Sequence, residues 1–212
     1  MATPLDRRQR KREAVRQSIS DAATRLFVAH GFDAVTVDDI AAAADVSRKT
    51  VFNHFPRKED MFFDLTEEGI EDLSEAFARR DPSLSVIEGL RRFAHQAVAE
   101  RRPYVRFMEG SEKFVATVVA SEALKARARG IRDELTTAVA SRIASAWGKQ
   151  EPDADATFAA TLLVATWAAA FVEGHRVFRQ THDAKLAQES FVATIDKGST
   201  GISAALKWSS NA

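Results

Sequence analysis

The chain has 212 residues, of which 45% are hydrophobic and 28% are charged, a composition typical of a globular protein with a substantial core. It contains no cysteine, which excludes disulfides, thiolate metal ligands and a cysteine nucleophile. Its formal net charge is zero, so overall charge does not indicate a partner.

The N-terminal segment is strongly basic. Six Lys or Arg residues and one acid, Glu13, lie between Arg7 and Arg16. Such a run is compatible with nucleic acid binding and equally with the solvated start of a helix. The segment lacks the apolar core of a signal peptide, so we expect a cytoplasmic protein. Residues 6–29 then show the apolar spacing of an amphipathic helix, which Gly31 ends.

Two short helices are predicted next, joined by a tight connection. Thr36 is a favourable N-cap for "VDDIAAAA", and Ser47 is one for the following helix, which Pro56 ends. The pair forms a helix-turn-helix, a motif whose second helix enters the major groove of DNA.

The outward face of the second helix carries groups that match DNA. At about 100° per residue, turning Val51 toward the core places Phe55 beside it and points Lys49 and Asn53 directly away. Cationic, amide and hydroxyl side chains pair with base edges. Lys58, at the start of the next helix, is predicted to reach a phosphate.

Together these residues resemble the DNA-binding domain of a known family. The stretch "GFDAVTVDDIAAAADVSRKTVFNHFPRKEDMF" is similar to the N-terminal domain of the tetracycline-repressor (TetR) family. The chain departs from the usual pattern at Phe52, where Tyr is common, and at Asp45, where Gly is common.

The resemblance implies an all-α homodimer. Each subunit would have a three-helix helix-turn-helix domain at residues 1–60 and a long-helix bundle for ligand binding and dimerisation at residues 61–212. By position it implies DNA contacts for Thr36, Ser47, Arg48, Lys49, Thr50, Asn53, His54 and Lys58.

Long helices are predicted beyond residue 58. They cover about 58–80, 86–101, 104–119, 121–147 and 153–180, and a last helix from Asp183 is expected to loosen at 197–201. The domain boundary then lies within the continuous helix that begins at Lys58.

The last two helices carry the predicted dimer seam, because this family typically builds a four-helix bundle across its dimer. The uncharged run 156–172 is read as a buried helix rather than a membrane span. Candidate seam residues, which ordinary intrachain core packing would also explain, are Phe158, Leu162, Phe178, Phe191, Ile195 and Ile202.

A ligand pocket is expected among residues 86–177, marked by polar groups within apolar sequence. Its candidates are Arg106, Phe107, Phe114, Trp167, Phe171 and His175. The segment "SEALKARARGIRDELTTAVASRIA" resembles the mycofactocin-regulator subset of the family, which implies an acyl-CoA-like or other long apolar ligand. Arg106, Arg127 and Arg129 are candidate phosphate contacts, although a solvated helix face explains them equally well.

No catalytic residue, cofactor or metal site is predicted. His175 and His182 lie two helical turns apart, too far to share a metal without a further ligand. The resulting hypothesis is a cytoplasmic transcriptional regulator, most simply a repressor, that binds a near-palindromic operator and is released by a small molecule. A constitutive DNA-binding protein without ligand control is the alternative. A ligand-binding module with a decayed DNA-binding domain is a third reading, disfavoured by the intact outward face.

Overall fold

The computed structural model describes residues 4–209, and these contain α-helices but no β-strand. A short 3-10 helix, Pro103–Val105, lies between the sixth and seventh α-helices. The α-helices are α1 (Pro4–His30), α2 (Val37–Ala43), α3 (Arg48–His54), α4 (Lys58–Phe62), α5 (Thr66–Ala78), α6 (Val86–Ala99), α7 (Glu112–Ala120), α8 (Glu122–Ala146), α9 (Ala154–Thr181) and α10 (Ala184–Ser209). The predicted all-α fold is therefore confirmed.

Both predicted caps of the helix-turn-helix are present. The Thr36 hydroxyl accepts from the Asp39 amide at 3.2 Å, and the Asp39 carboxylate accepts from the Thr36 amide at 2.9 Å, which completes a capping box. The Ser47 hydroxyl accepts from the Thr50 amide at 3.0 Å. Asp45 has φ +53° in the connection, the left-handed conformation that explains why glycine is common at this position.

The chain divides into two compact units. The first comprises the residues up to Asp64 together with Thr117–Lys125, and the second comprises Leu65–Ala116 and the residues from Ala126 onward. In the first unit the Ser121 hydroxyl donates to Asp33 at 2.7 Å, and Leu124 is fully buried. The core that Leu124 joins contains Ile19, Ala23, Phe27, Phe32, Val35, Ile40, Ala41, Val51, Phe55 and Met61.

The prediction of one continuous helix over 58–80 is wrong. Helix α4 ends at Phe62, and α5 begins at Thr66. The rings of Phe62 and Phe63 meet edge to face at 5.2 Å, and both pack against the first unit's core. Asp64 accepts a hydrogen bond from Ser20 on α1. These tertiary contacts hold residues 63–65 outside helical geometry.

Two further predicted helices differ from the structure. The predicted helix 104–119 is replaced by the 3-10 helix, an irregular segment and α7, because Arg106 is extended and Gly110 has φ +90°. The expected loosening at 197–201 is absent, since α10 is continuous there. Gly198 within it approaches α9 so closely that an added Cβ would overlap the Thr166 side chain.

In the second unit, α9 and α10 form a helical hairpin that packs along its length, and α10 also packs against α6. The predicted seam is wrong for Phe178, Phe191, Ile195 and Ile202, which are at most 5% exposed within one chain. Phe158, by contrast, is 46% exposed. Judged by length and composition alone, α9 is long and apolar enough to cross a membrane. Only 22% of its most apolar 18-residue stretch is buried in this chain.

Candidate nucleic-acid interface

The recognition helix α3 has one buried face and one open face. Val51 and Phe55 are fully buried in the first unit's core and fix the rotation of the helix. Lys49 and Asn53 are consequently exposed on the opposite face, as the sequence predicts. Hydrophobic anchoring on one side therefore presents an ammonium and an amide to solvent on the other.

Arg48 and Thr50 have partners within the same motif. The Arg48 guanidinium lies 2.7 Å from the Asp38 carboxylate, in an exposed ion pair, and 5.5 Å from the centroid of the Phe52 ring. The Thr50 hydroxyl lies 2.8 Å from the Ser47 hydroxyl and is half-buried. Of the predicted base-contacting residues, Lys49 and Asn53 project most freely.

The structure gives Lys58 a role that the sequence did not indicate. Its ammonium donates to the carbonyl oxygens of Phe32 and Val35 at 2.9 and 2.8 Å and lies 4.2 Å from the centroid of the Phe32 ring. Two of its three N–H groups therefore tie α4 to the turn that precedes α2. A phosphate contact by Lys58 stays a prediction.

Thr36 is likewise engaged within the motif, because its hydroxyl also lies 2.6 Å from the Asp39 carboxylate as a donor. These hydrogen bonds, from the Thr36 side chain and then its backbone, hold the pKa of Asp39 below its ordinary value. Asp39 is consequently a carboxylate at neutral pH, as the capping box requires. The phosphate contact implied for Thr36 also stays a prediction.

The end of α3 is held by a residue that sequence reasoning missed. The Arg16 guanidinium donates to the His54 carbonyl at 3.1 Å and lies over the Phe55 ring, 4.2 Å from its centroid. Burial of His54, followed by the positive charges of Arg12 and Arg16, lowers the pKa of its imidazole. The basic run was the only sequence signal for this contact.

A known family model matches part of this unit. A family model described as "Bacterial regulatory proteins, tetR family" matches residues 19–65, which include both caps, α3 and Lys58. Residues 19–65 are therefore similar to the DNA-binding domain of the TetR family.

Two curated relatives have regulatory names. The chain is 49% identical over 49 residues to MftR of Mycobacterium tuberculosis, whose name links it to regulation of mycofactocin biosynthesis, covering 23% of this chain and 25% of MftR. It is 28% identical over 141 residues to the HTH-type transcriptional regulator TcmR of Streptomyces glaucescens, covering 54% and 62% of the two chains. The chain thus matches less than two thirds of the length of either relative.

Solved structures share the fold over most of the chain. NalD of Pseudomonas aeruginosa, the secondary repressor of the MexAB-OprM efflux pump, aligns with TM-score 0.56 and 21% identity over 88% of this chain and 97% of NalD. FadR of Thermus thermophilus, solved in complex with lauroyl-CoA, aligns with TM-score 0.51 and 21% identity over 88% and 92% of the two chains.

In the second unit, four of the predicted pocket residues form an aromatic cluster. The His175 ring is buried, 4.4 Å from Phe171 and 5.0 Å from Phe107 between ring centroids, and it stacks on Phe114 at 6.3 Å. An added Cβ at Gly174 would overlap the Phe107 ring, so a glycine permits this close approach. This role of Gly174 was not predicted from the sequence.

The other two predicted pocket residues lie at and beyond the edge of this cluster. Trp167 stacks on Phe93 at 5.7 Å and meets the Phe191 ring at 5.3 Å, and Phe191 in turn contacts Phe107. Arg106 is exposed, and its Nε donates to the Arg101 carbonyl at 3.1 Å.

A separate polar cavity lies between α5 and α6 and contains none of the predicted ligand residues. Its volume is about 340 Å³, and paired charges dominate its lining. Arg102 lies 3.2 Å from Asp72, and the Tyr104 hydroxyl donates to the same carboxylate at 2.7 Å. Burial and this hydrogen bond raise the pKa of Tyr104. The phenol is therefore a neutral donor across the physiological pH range.

Proposed function

We propose that this chain is a cytoplasmic transcriptional repressor of the TetR family that binds a near-palindromic operator as a homodimer and is released by a small molecule. One observation carries the proposal: α3 is locked into the core by Val51 and Phe55 while Lys49 and Asn53 face solvent. An amide reads adenine and a cation reads guanine in the major groove. Ser47, Arg48, Thr50 and His54 complete the proposed surface, with Thr36 and Lys58 at its edge.

The proposed dimer face is an exposed stripe on α9. Its members recur every three or four residues and are small or apolar: Phe158, Thr161, Ala165, Ala168 and Val172. Phe158 and Val172 are 46% and 51% exposed, which is unusual for large apolar side chains on a helix this apolar. Packing the stripe against a second copy would remove it from water, and small residues would allow close approach.

The proposed effector site is the aromatic cluster around His175. Aromatic walls with few polar groups suit an apolar ligand. Lauroyl-CoA is bound by Thermus thermophilus FadR, which shares the fold, and an acyl-CoA or another long apolar molecule is the class that we propose for this chain. Arg106, which is exposed and precedes Phe107 of the cluster in the chain, is the proposed partner for a polar head group.

Release requires a ligand that binds one conformational state better than another. A single helix beginning at Lys58 cannot transmit the change, because the chain leaves helical geometry at residues 63–65. We propose that helix α8 transmits the change instead. It begins in the first unit, where Leu124 is buried, and continues into the second unit as one uninterrupted helix.

The test is fluorescence-anisotropy binding of the full chain to duplex DNA from upstream of its own coding sequence, against a scrambled duplex, at two salt concentrations. Operators that lie elsewhere are recovered by selection from a random-sequence library. Tight, selective and salt-dependent binding supports the proposal. Equal, weak binding of every duplex, including the selected ones, contradicts it.

The ligand arm adds lauroyl-CoA, free laurate or coenzyme A alone to the preformed DNA complex. Release by lauroyl-CoA or laurate, but not by coenzyme A, supports an acyl-chain effector. Selective DNA binding that no added small molecule reverses would favour the alternative of a constitutive DNA-binding protein.

A further inference from the structure

The basic run at the start of α1 continues the surface of the recognition helix. Arg16 joins α1 to the C-terminal end of α3 through the His54 carbonyl at 3.1 Å and the Phe55 ring. Arg12 lies close enough to His54 to contribute to its lowered pKa. The part of α1 from Arg12 to Arg16 therefore lies beside the candidate DNA-binding surface, within the same compact unit.

Helical periodicity places a ladder of arginines on this side of α1. Successive steps of four residues rotate by about 40°, so Arg16, Arg12 and Arg8 follow one another along adjacent positions. The ladder spans about 12 Å at 1.5 Å per residue. Arg7, by the same geometry, lies on the side opposite Arg16, and Arg10 is turned about 120° away from it.

Only the inner end of the ladder has a structural role in the first unit. Arg16 is half-buried and holds α3, whereas Arg8 and Arg12 are exposed. Across residues 4–209, neither Arg8 nor Arg12 forms an ion pair in the structure. Exposed guanidinium groups next to a DNA-binding surface suit phosphate oxygens, which accept charge-assisted hydrogen bonds from arginine.

We propose that Arg8 and Arg12 form a second DNA contact, which binds backbone phosphates flanking the bases that α3 reads. The inference rests on the proposed function, because it extends the same surface. The contact adds affinity and salt dependence without adding base preference, since phosphates carry no sequence information. It requires a duplex that extends beyond the half-site, so its contribution depends on the length of the flanking DNA.

The test measures operator affinity against salt concentration for the full chain and two double variants. Arg8→Gln/Arg12→Gln removes the proposed contacts, and Arg7→Gln/Arg10→Gln removes the same charge from other sides of the same helix. Each lost phosphate contact lowers the slope of log affinity against log salt by about 0.9, so the first variant should lose about 1.8 per bound protomer. The control variant should lose much less. Circular dichroism checks that both variants remain helical.

A second arm uses a duplex trimmed to the two half-sites. There the wild type and Arg8→Gln/Arg12→Gln should show equal slopes, because the flanking phosphates are absent. Equal salt slopes for the wild type and Arg8→Gln/Arg12→Gln on the long duplex would overturn the inference, and so would equal losses of slope in the two double variants. In either case, selective binding by the wild type would still support the proposed function. A wild type that prefers no duplex would overturn the proposed function and the inference together.

Discussion

The ammonium nitrogen of Lys58 lies 2.8 Å from the carbonyl oxygen of Val35, and a second bond joins it to Phe32. This lysine therefore connects the start of α4 to the turn before α2. Hydrogen bonds to a charged group contribute roughly 1.5–3 kcal/mol when they are partly shielded from water. The contact links the stability of the first unit to a residue that sequence reasoning assigned to DNA alone.

Replacing Lys58 should therefore affect folding as well as binding. We expect Lys58→Ala to lower the free energy of unfolding by about 1–3 kcal/mol, because two carbonyl groups lose a charged donor. The control is Lys49→Ala, which removes the same charge from the exposed face of α3. It should leave stability within about 0.5 kcal/mol and weaken DNA binding. Urea denaturation of both variants makes the comparison, and equal stabilities would refute the structural role of Lys58.

Asn53→Ala should relax sequence preference at one base position of each half-site. The exposed amide suits a bidentate contact with adenine, and such a pair contributes about 1–3 kcal/mol of discrimination against other bases. Anisotropy measurements on a set of duplexes with single substitutions provide the readout. A uniform loss of affinity for all site variants would show that Asn53 makes no base contact.

Charges placed on the exposed stripe of α9 should prevent dimerisation. We expect Phe158→Glu/Val172→Glu to sediment as a monomer and to lose operator affinity, because two carboxylates would be desolvated in the proposed interface. Val119→Glu is the control, since Val119 is also a large exposed apolar residue but lies on α7. A monomeric wild type, or a variant that remains dimeric, would be incompatible with this face.

The contact between α9 and α10 should tolerate no methyl group at Gly198. Gly198→Ala should destabilise the protein by about 1–3 kcal/mol through overlap with Thr166, and Thr166→Ala should restore part of that loss. Gly201→Ala on the same helix is the control, because an added Cβ there meets nothing within 4 Å. That change should raise stability by roughly 0.5–1 kcal/mol. Thermal unfolding of the wild type and the three variants gives the comparison.

Acid should weaken the first unit through His54. Its folded-state pKa is lowered, chiefly by burial and then by Arg12 and Arg16, so the unfolded chain binds the proton more readily. Stability is consequently unaffected well above the ordinary histidine pKa of about 6.5 and falls as pH drops below it. His54→Gln should flatten this fall, and Arg12→Gln should reduce it. The free energy of unfolding should be measured between about pH 5 and 8. A value that rises as the pH falls would contradict this prediction.

Local sequence rules were sufficient where the structure depends on local interactions. The caps at Thr36 and Ser47 set the starts of α2 and α3, and the burial of Val51 and Phe55 fixes which face of α3 is open. Each of these features involves residues a few positions apart, so spacing alone predicts it.

The features that the sequence did not predict depend on distant partners. Residues 63–65 interrupt a helical pattern because Phe63 packs into the core and Asp64 meets Ser20, which lies 44 positions earlier in the chain. Phe191 and Ile195 were predicted to lie in the dimer seam, but an intrachain core requires apolar residues just as an interface does. Periodicity cannot distinguish the two. Arg16 and Lys58 contact carbonyl oxygens, which leave no mark in the sequence.

The discontinuity of the first unit has a consequence for synthesis on the ribosome. Leu124, which is fully buried in this unit's core, is made about sixty residues after the rest of that core, and Ser121 arrives with it. The helix-turn-helix segment therefore leaves the ribosome before its hydrophobic core is complete. Leu124 joins that core only when the start of α8 leaves the exit tunnel. Native packing of this unit must then wait until more than half of the chain has been made, which delays the appearance of the proposed DNA-binding surface on nascent protein.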